Sequence, residues 1–225
     1  MTSLQGVTVA FDLDGTLVDT APDLAATLDV ILAGEGLPPL GLAAARAYVG
    51  HGAAALLRQG FLAAGTTLPP GKEAELVTAF VTHYQGRIAE ASRPFPNVEA
   101  CLVGLRAAGA NLVVCTNKRT GLSEQLLAAL GLDQQFKAVI GQDSVPARKP
   151  DAGHLLTSLA AVGGTPGRSV FLGDSDTDVQ TGLNAQVPVG LFTGGYAVEA
   201  GRALGPDFEF SDFAVIPDIV QTLMA

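Results

Sequence analysis

Apolar residues along the chain follow two rhythms. Short runs, most of them rich in β-branched residues, occupy Val7–Phe11, Asn111–Cys115, Ala138–Ile140, Ser169–Leu172 and Pro188–Phe192, and they predict buried strands. Helix-like segments at Val98–Ala108, Gly121–Leu130, Ala152–Ala161 and Thr177–Asn184 separate the later runs. Strands alternating with helices imply βαβ units and a parallel sheet covered on both faces. Gly109, Gly131 and Gly163 stand where helix C-caps are wanted. The stretch from about Ala21 to Ser92 breaks this pattern. Its apolar residues recur at helical spacing, as in Leu24, Leu28, Ile31 and Leu32, and again in Leu76, Phe80, Val81 and Tyr84. Pro38-Pro39 and Pro69-Pro70-Gly71 punctuate it, and Arg93-Pro94-Phe95-Pro96 marks the return. The expectation is an α/β fold whose first strand is followed by a helical insertion.

Composition narrows the function. With 225 residues, 48% of them hydrophobic, the chain can build a substantial core. A net charge of -9 argues against a nucleic-acid partner. It also requires that any phosphate site be locally basic. Four of the 13 basic residues form two dyads, Lys118-Arg119 and Arg148-Lys149. The first dyad could guide anions inward, but a solvated face is the plainer reading. No apolar run is long enough to span a bilayer, and no signal-like segment opens the chain, so a cytoplasmic protein with no membrane partner is expected. Cys101 and Cys115 lack metal-ligand or redox spacing and read as small core residues. His83 and His154 lie within helical patterns and read as structural or surface residues.

Candidate chemistry collects where the apolar runs end. Phe11-Asp12-Leu13-Asp14-Gly15-Thr16 closes the first run. Side chains alternate across a strand, so Asp12 and Asp14 can point the same way. Two crowded carboxylates call for a cation or a shared proton. One aspartate attacking phosphorus beside a second that handles protons needs this arrangement. Thr116 and Asn117 follow the second run, Lys149 precedes a predicted helix, and Asp174 follows Val170-Phe171-Leu172-Gly173. In open parallel sheets, groups at strand carboxyl ends converge on one pocket. In Asp174-Ser175-Asp176-Thr177-Asp178, a helix starting near Ser175 sets Asp174 and Asp178 one turn apart, with Asp176 turned elsewhere.

These four motifs, in order over nearly the whole chain, resemble those of the haloacid dehalogenase superfamily. Asp14-Gly15-Thr16-Leu17-Val18-Asp19-Thr20-Ala21-Pro22-Asp23-Leu24, Gly50-His51-Gly52 and Gly195-Tyr196 resemble its phosphoglycolate phosphatase branch more narrowly. The resemblance implies a Rossmann-like three-layer core from 1–18 and 93–225, with an all-helical cap domain at 19–92. The cap is expected to close over the core, exclude water and select small substrates. The implied activity is Mg²⁺-dependent hydrolysis of a small anionic phosphomonoester, 2-phosphoglycolate foremost. Asp12 would be the nucleophile and Asp14 the acid and base. Thr116, Asn117 and Lys149 would bind phosphate. Asp12, the Asp14 carbonyl and Asp174 would hold the metal, with Asp178 in support. His51 and Arg58 are candidate cap contacts to substrate. A monomer and a homodimer are both open.

Rival readings differ in particular residues. A sugar-phosphate phosphatase shares the core motifs. A sugar-phosphate mutase carries a cap histidine twelve residues after the nucleophile, where this chain has Leu24. A dehalogenase lacks the second aspartate, and a phosphonate hydrolase needs a cap lysine, here only Lys72. A receiver-type signalling domain has adjacent acids and no helical insertion, and a non-catalytic binding protein would not need the complete catalytic set. Arg119 and Gln186 depart from the family pattern, which usually has proline and glycine at these places.

Overall fold

The computed structural model describes residues 3–50 and 52–225. The described elements are β1 (Thr8–Phe11), β2 (Val18–Asp19), α1 (Ala21–Gly34), α2 (Leu42–Ala45), α3 (Ala53–Ala63), α4 (Glu73–Gln85), β3 (Arg93–Pro94), α5 (Val98–Ala107), β4 (Asn111–Thr116), α6 (Thr120–Ala129), β5 (Ala138–Gly141), α7 (Ala152–Ala161), β6 (Ser169–Gly173), α8 (Asp176–Ala185), β7 (Val189–Phe192), α9 (Val198–Arg202), β8 (Phe208–Phe210) and α10 (Ile216–Leu223). They form two compact units. One is Asp19–Arg93; the other runs up to Val18 and resumes from Pro94 to Ala225.

The larger unit is built on a six-stranded sheet in the order β5-β4-β1-β6-β7-β8. Every neighbouring pair is parallel. Phe11 of β1 is in register with Val114 of β4 on one side and Leu172 of β6 on the other. The chain moves outward from β1 to β5, then crosses back to β6. Strand order therefore reverses beside β1, which opens a crevice at the carboxyl ends of the central strands.

Helices cover both faces of such a sheet, so its strands are continuously apolar and not alternating. On one face, Ala10, Val113, Cys115, Phe171, Val189 and Leu191 pack with Leu155 and Leu159 of α7 and Val179 and Ala185 of α8. Each fully buried leucine or phenylalanine contributes roughly 1.5–3 kcal/mol of transfer free energy. Toward the β8 edge, Phe192 contacts Phe95, Phe210 and Phe213, with ring centroids 5.0–5.3 Å apart. The helices stop where the sequence indicates: Gly109, Gly131 and Gly163 follow α5, α6 and α7 at positive φ. After α8 the same left-handed conformation falls on Gln186, at φ 54°.

In the helical unit, α1 buries Leu24, Leu28 and Leu32, α3 buries Leu56, Leu57 and Phe61, and α4 buries Leu76 and Phe80. Asp23 ties the two ends of this unit together. Its carboxylate accepts the Ala91 and Ser92 N–H groups, and the Ser92 hydroxyl at 2.6 Å. Arg58 makes a two-pronged ion pair with Glu73. His51 lies outside the described residues. Three strands lack a sequence signal: β2 and β3 have two residues each and form their own pair, and β8 has three. No described helix is long and apolar enough to cross a membrane.

Candidate active site

The carboxyl ends of β1, β4 and β6 and the loop beyond β5 bring the predicted groups to one place. Asp12 continues β1, donating its N–H to the Leu172 carbonyl at 2.9 Å. Leu13 turns into the core, so Asp12 and Asp14 share the other side. The Lys149 ammonium lies 2.8 Å from Asp12 Oδ1 and donates to Asp178 Oδ1 at 2.6 Å. Both ends of Lys149's peptide segment are held. Its N–H donates to His154 Nδ1 at 3.2 Å, and its carbonyl accepts from Asn117 Nδ2 at 3.1 Å. Thr116 lies buried at the end of β4, its oxygen accepting the Lys118 N–H.

The acidic run after β6 divides as its spacing predicts. Ser175 caps α8 and forms a reciprocal capping box with Asp178. Asp178 Oδ2 accepts the Ser175 hydroxyl and the N–H groups of Asp174 and Ser175. Asp176 starts the helix, half-buried. Asp174 is fixed at both oxygens, by the Thr16 hydroxyl and by the Tyr196 N–H, each at 2.8 Å. Two glycines allow this close approach. A Cβ on Gly195 would fall 2.2 Å from Asp174 Cβ, and one on Gly15 would fall 2.5 Å from its Oδ2.

Charge in the site is unbalanced. Oxygens of Asp12, Asp174 and Asp178 lie within 4.8 Å of one another, all three residues buried. Burial pushes Asp12 up to about 6; Lys149 opposes the rise and Asp178 adds to it. Burial, then Asp178 and Asp12, hold Asp174 well above the usual carboxylate range. For Lys149, burial favours the neutral amine, but Asp12 and Asp178 outweigh it and raise its pKa. One ammonium therefore faces three crowded carboxylates. Such an all-oxygen set fits a hard divalent cation, which would relieve the repulsion.

Lys118 corrects the sequence reading. It is buried, not solvated, with its ammonium 3.1 and 3.2 Å from the two oxygens of Asp14. Each basic dyad sends its lysine inward and leaves its arginine, Arg119 or Arg148, exposed. Thr16, Tyr196 and His154 also support the site without having been singled out for it. Thr16 and Tyr196 lie in motifs already noted; His154 has no sequence signal beyond helical spacing.

A parallel sheet in this order, with paired aspartates ending its central strand and a lysine and acidic cluster beside them, places the chain among the aspartate-bearing α/β hydrolases. The chain belongs to the haloacid dehalogenase-like hydrolase family, whose model matches residues 9–192. It is 50% identical to a phosphoglycolate phosphatase of Caulobacter vibrioides, over 98% of this chain and 93% of the relative. It is 39% identical to one of Agrobacterium fabrum, over 96% and 93%. Among solved structures, a predicted phosphoglycolate phosphatase of Haemophilus somnus superposes with a TM-score of 0.90 at 30% identity, over 98% of this chain and 100% of that one.

Proposed function

We propose that this chain is a magnesium-dependent phosphomonoesterase that hydrolyses 2-phosphoglycolate to glycolate and phosphate. The observation that carries the reading is the pairing of Asp12 with Asp14 at the end of β1, with the Lys149 ammonium 2.8 Å from Asp12. An Asp12 oxygen attacks phosphorus and the ester oxygen departs. Asp14 gives that oxygen a proton, then takes one from the water that releases phosphate. Lys149 and the Thr116 hydroxyl offset charge on the transferring oxygens, where positioning and electrostatics account for most of the rate. Asp12, Asp174 and the Asp14 carbonyl would hold Mg²⁺, which would lower the repulsion between a carboxylate nucleophile and a dianionic phosphate. Asp178 keeps Lys149 and the α8 N-terminus in place. Two free buried thiols, Cys101 and Cys115, support a reducing, cytoplasmic location.

A phosphate-release panel with Mg²⁺ tests the reading. Phosphoglycolate should exceed sugar phosphates, nucleotides and pyrophosphate in kcat/KM by at least about ten-fold, a margin of some 1.4 kcal/mol. Preference for a sugar phosphate would move the chain to the rival phosphatase. Phosphorylation without sustained release would leave a signalling receiver.

A further inference from the structure

We propose that Lys118 recognises the anionic group of the leaving alcohol, making it a specificity-determining residue for phosphomonoesters that carry a carboxylate next to the ester carbon. The inference rests on the phosphatase reading above and adds a residue to it.

The two buried lysines of the site lie on different aspartates. Lys149 sits between Asp12 and Asp178, where the phosphoryl group is transferred. Lys118 sits on Asp14, the residue that must meet the ester oxygen, and only 5% of its side chain reaches solvent. Its main chain is fixed on both sides: its N–H donates to Thr116 Oγ1 at 3.2 Å, and its carbonyl accepts the Gln142 N–H at 3.1 Å. A buried ammonium is costly unless anions surround it.

Reach follows from hydrogen-bond lengths. An ester oxygen bonded to Asp14 lies roughly 3–6 Å from an ammonium on the same carboxylate. In phosphoglycolate the carboxylate is one carbon beyond that oxygen, which brings it within reach of Lys118. A substrate carboxylate in that place is attracted by the ammonium's charge alongside the Asp14 carboxylate. A neutral alkyl group in the same place gains nothing from it. Lys149 cannot take this part, since its two carboxylates hold it on the phosphoryl side.

The test compares two substrates of equal carbon count, 2-phosphoglycolate and ethyl phosphate, in the Mg²⁺-loaded full chain. Wild type should prefer the acid at least 100-fold in kcat/KM. Lys118→Met and Lys118→Gln should each lose at least 30-fold more activity on phosphoglycolate than on ethyl phosphate. Lys118→Arg should keep most of the preference. Both substrates are assayed on one preparation, so the ratio does not depend on how much of a variant folds. Equal losses on the two substrates would overturn the proposal and leave Lys118 as a support for Asp14 alone. A wild type with no preference for the acid would instead remove the substrate reading itself.

Discussion

His154 holds Lys149 by its main chain, accepting the Lys149 N–H through Nδ1 at 3.2 Å. Because Nδ1 accepts, the ring proton is on Nε2, which donates to the Ile140 carbonyl at 3.1 Å. Only a neutral ring can do both. Burial first, and then the Lys149 charge, lower its pKa to about 4 against 6.5 for a free histidine. Since the folded-state value is the lower one, the unfolded chain binds the proton more readily. Stability is therefore complete above pH 6.5 and is lost as pH falls toward 4. From pH 7 to pH 5 the histidine should cost about 2 kcal/mol. Asp12, raised to about 6, acts in the opposite sense over part of this range. Comparing wild type with His154→Gln isolates the histidine. Glutamine offers one donor and one acceptor but takes up no proton, so the gap between the two melting temperatures at pH 7 should narrow by pH 5. A constant gap would mean the ring is not held neutral.

Asp174 and Asp178 should separate by readout. Asp174→Ala removes a proposed metal ligand, and its Mg²⁺ requirement should rise by well over roughly ten-fold, the lower range of losses seen for supporting residues. Asp178→Asn weakens the α8 capping box and one of Lys149's two charge partners. It should lower stability by about 1–3 kcal/mol along with turnover. Magnesium titration beside thermal melting distinguishes the two patterns.

Gly195→Ala tests how closely the loop must approach Asp174. The new methyl would fall 2.4 Å from Asp174 Oδ2, so the carboxylate or the loop must move. Overpacking of this kind costs about 1–3 kcal/mol. Because the displaced group is a proposed metal ligand, kcat/KM should fall more steeply than stability. Full activity in this variant would show that Asp174 tolerates displacement.

Gln186→Gly should stabilise the protein. Gln186 ends α8 in the left-handed region, is exposed, and its backbone N–H bonds locally to the Gly182 and Leu183 carbonyls. Glycine adopts this conformation without the Cβ clash, a gain of about 1 kcal/mol. The melting temperature should rise by about 2–4 °C with activity unchanged.

Much of this organisation is legible in the sequence because it rests on rules that act locally. Apolar runs followed by chemistry mark the strand ends, and Ser175 with Asp178 three residues later marks a helix start. What stays hidden depends on partners distant in sequence. Lys118 reads as solvated until Asp14, 104 residues away, is seen against it. The Tyr196 N–H that fixes Asp174 belongs to the main chain and has no residue-type signature. Strands β2, β3 and β8 are too short for any periodicity to register. Arg119, though not proline, adopts φ -66°, the angle a proline would impose.

In the proposed reaction Asp12 carries the phosphoryl group between substrate and water. Rapid acid quenching of Mg²⁺-loaded protein mixed with phosphate-labelled phosphoglycolate tests it most directly. Transient label should appear on the protein, mapping to the peptide that contains Asp12 and missing from Asp12→Asn, which should be inactive yet folded. Turnover in Asp12→Asn at the wild-type rate, or label mapping to another residue, would contradict it.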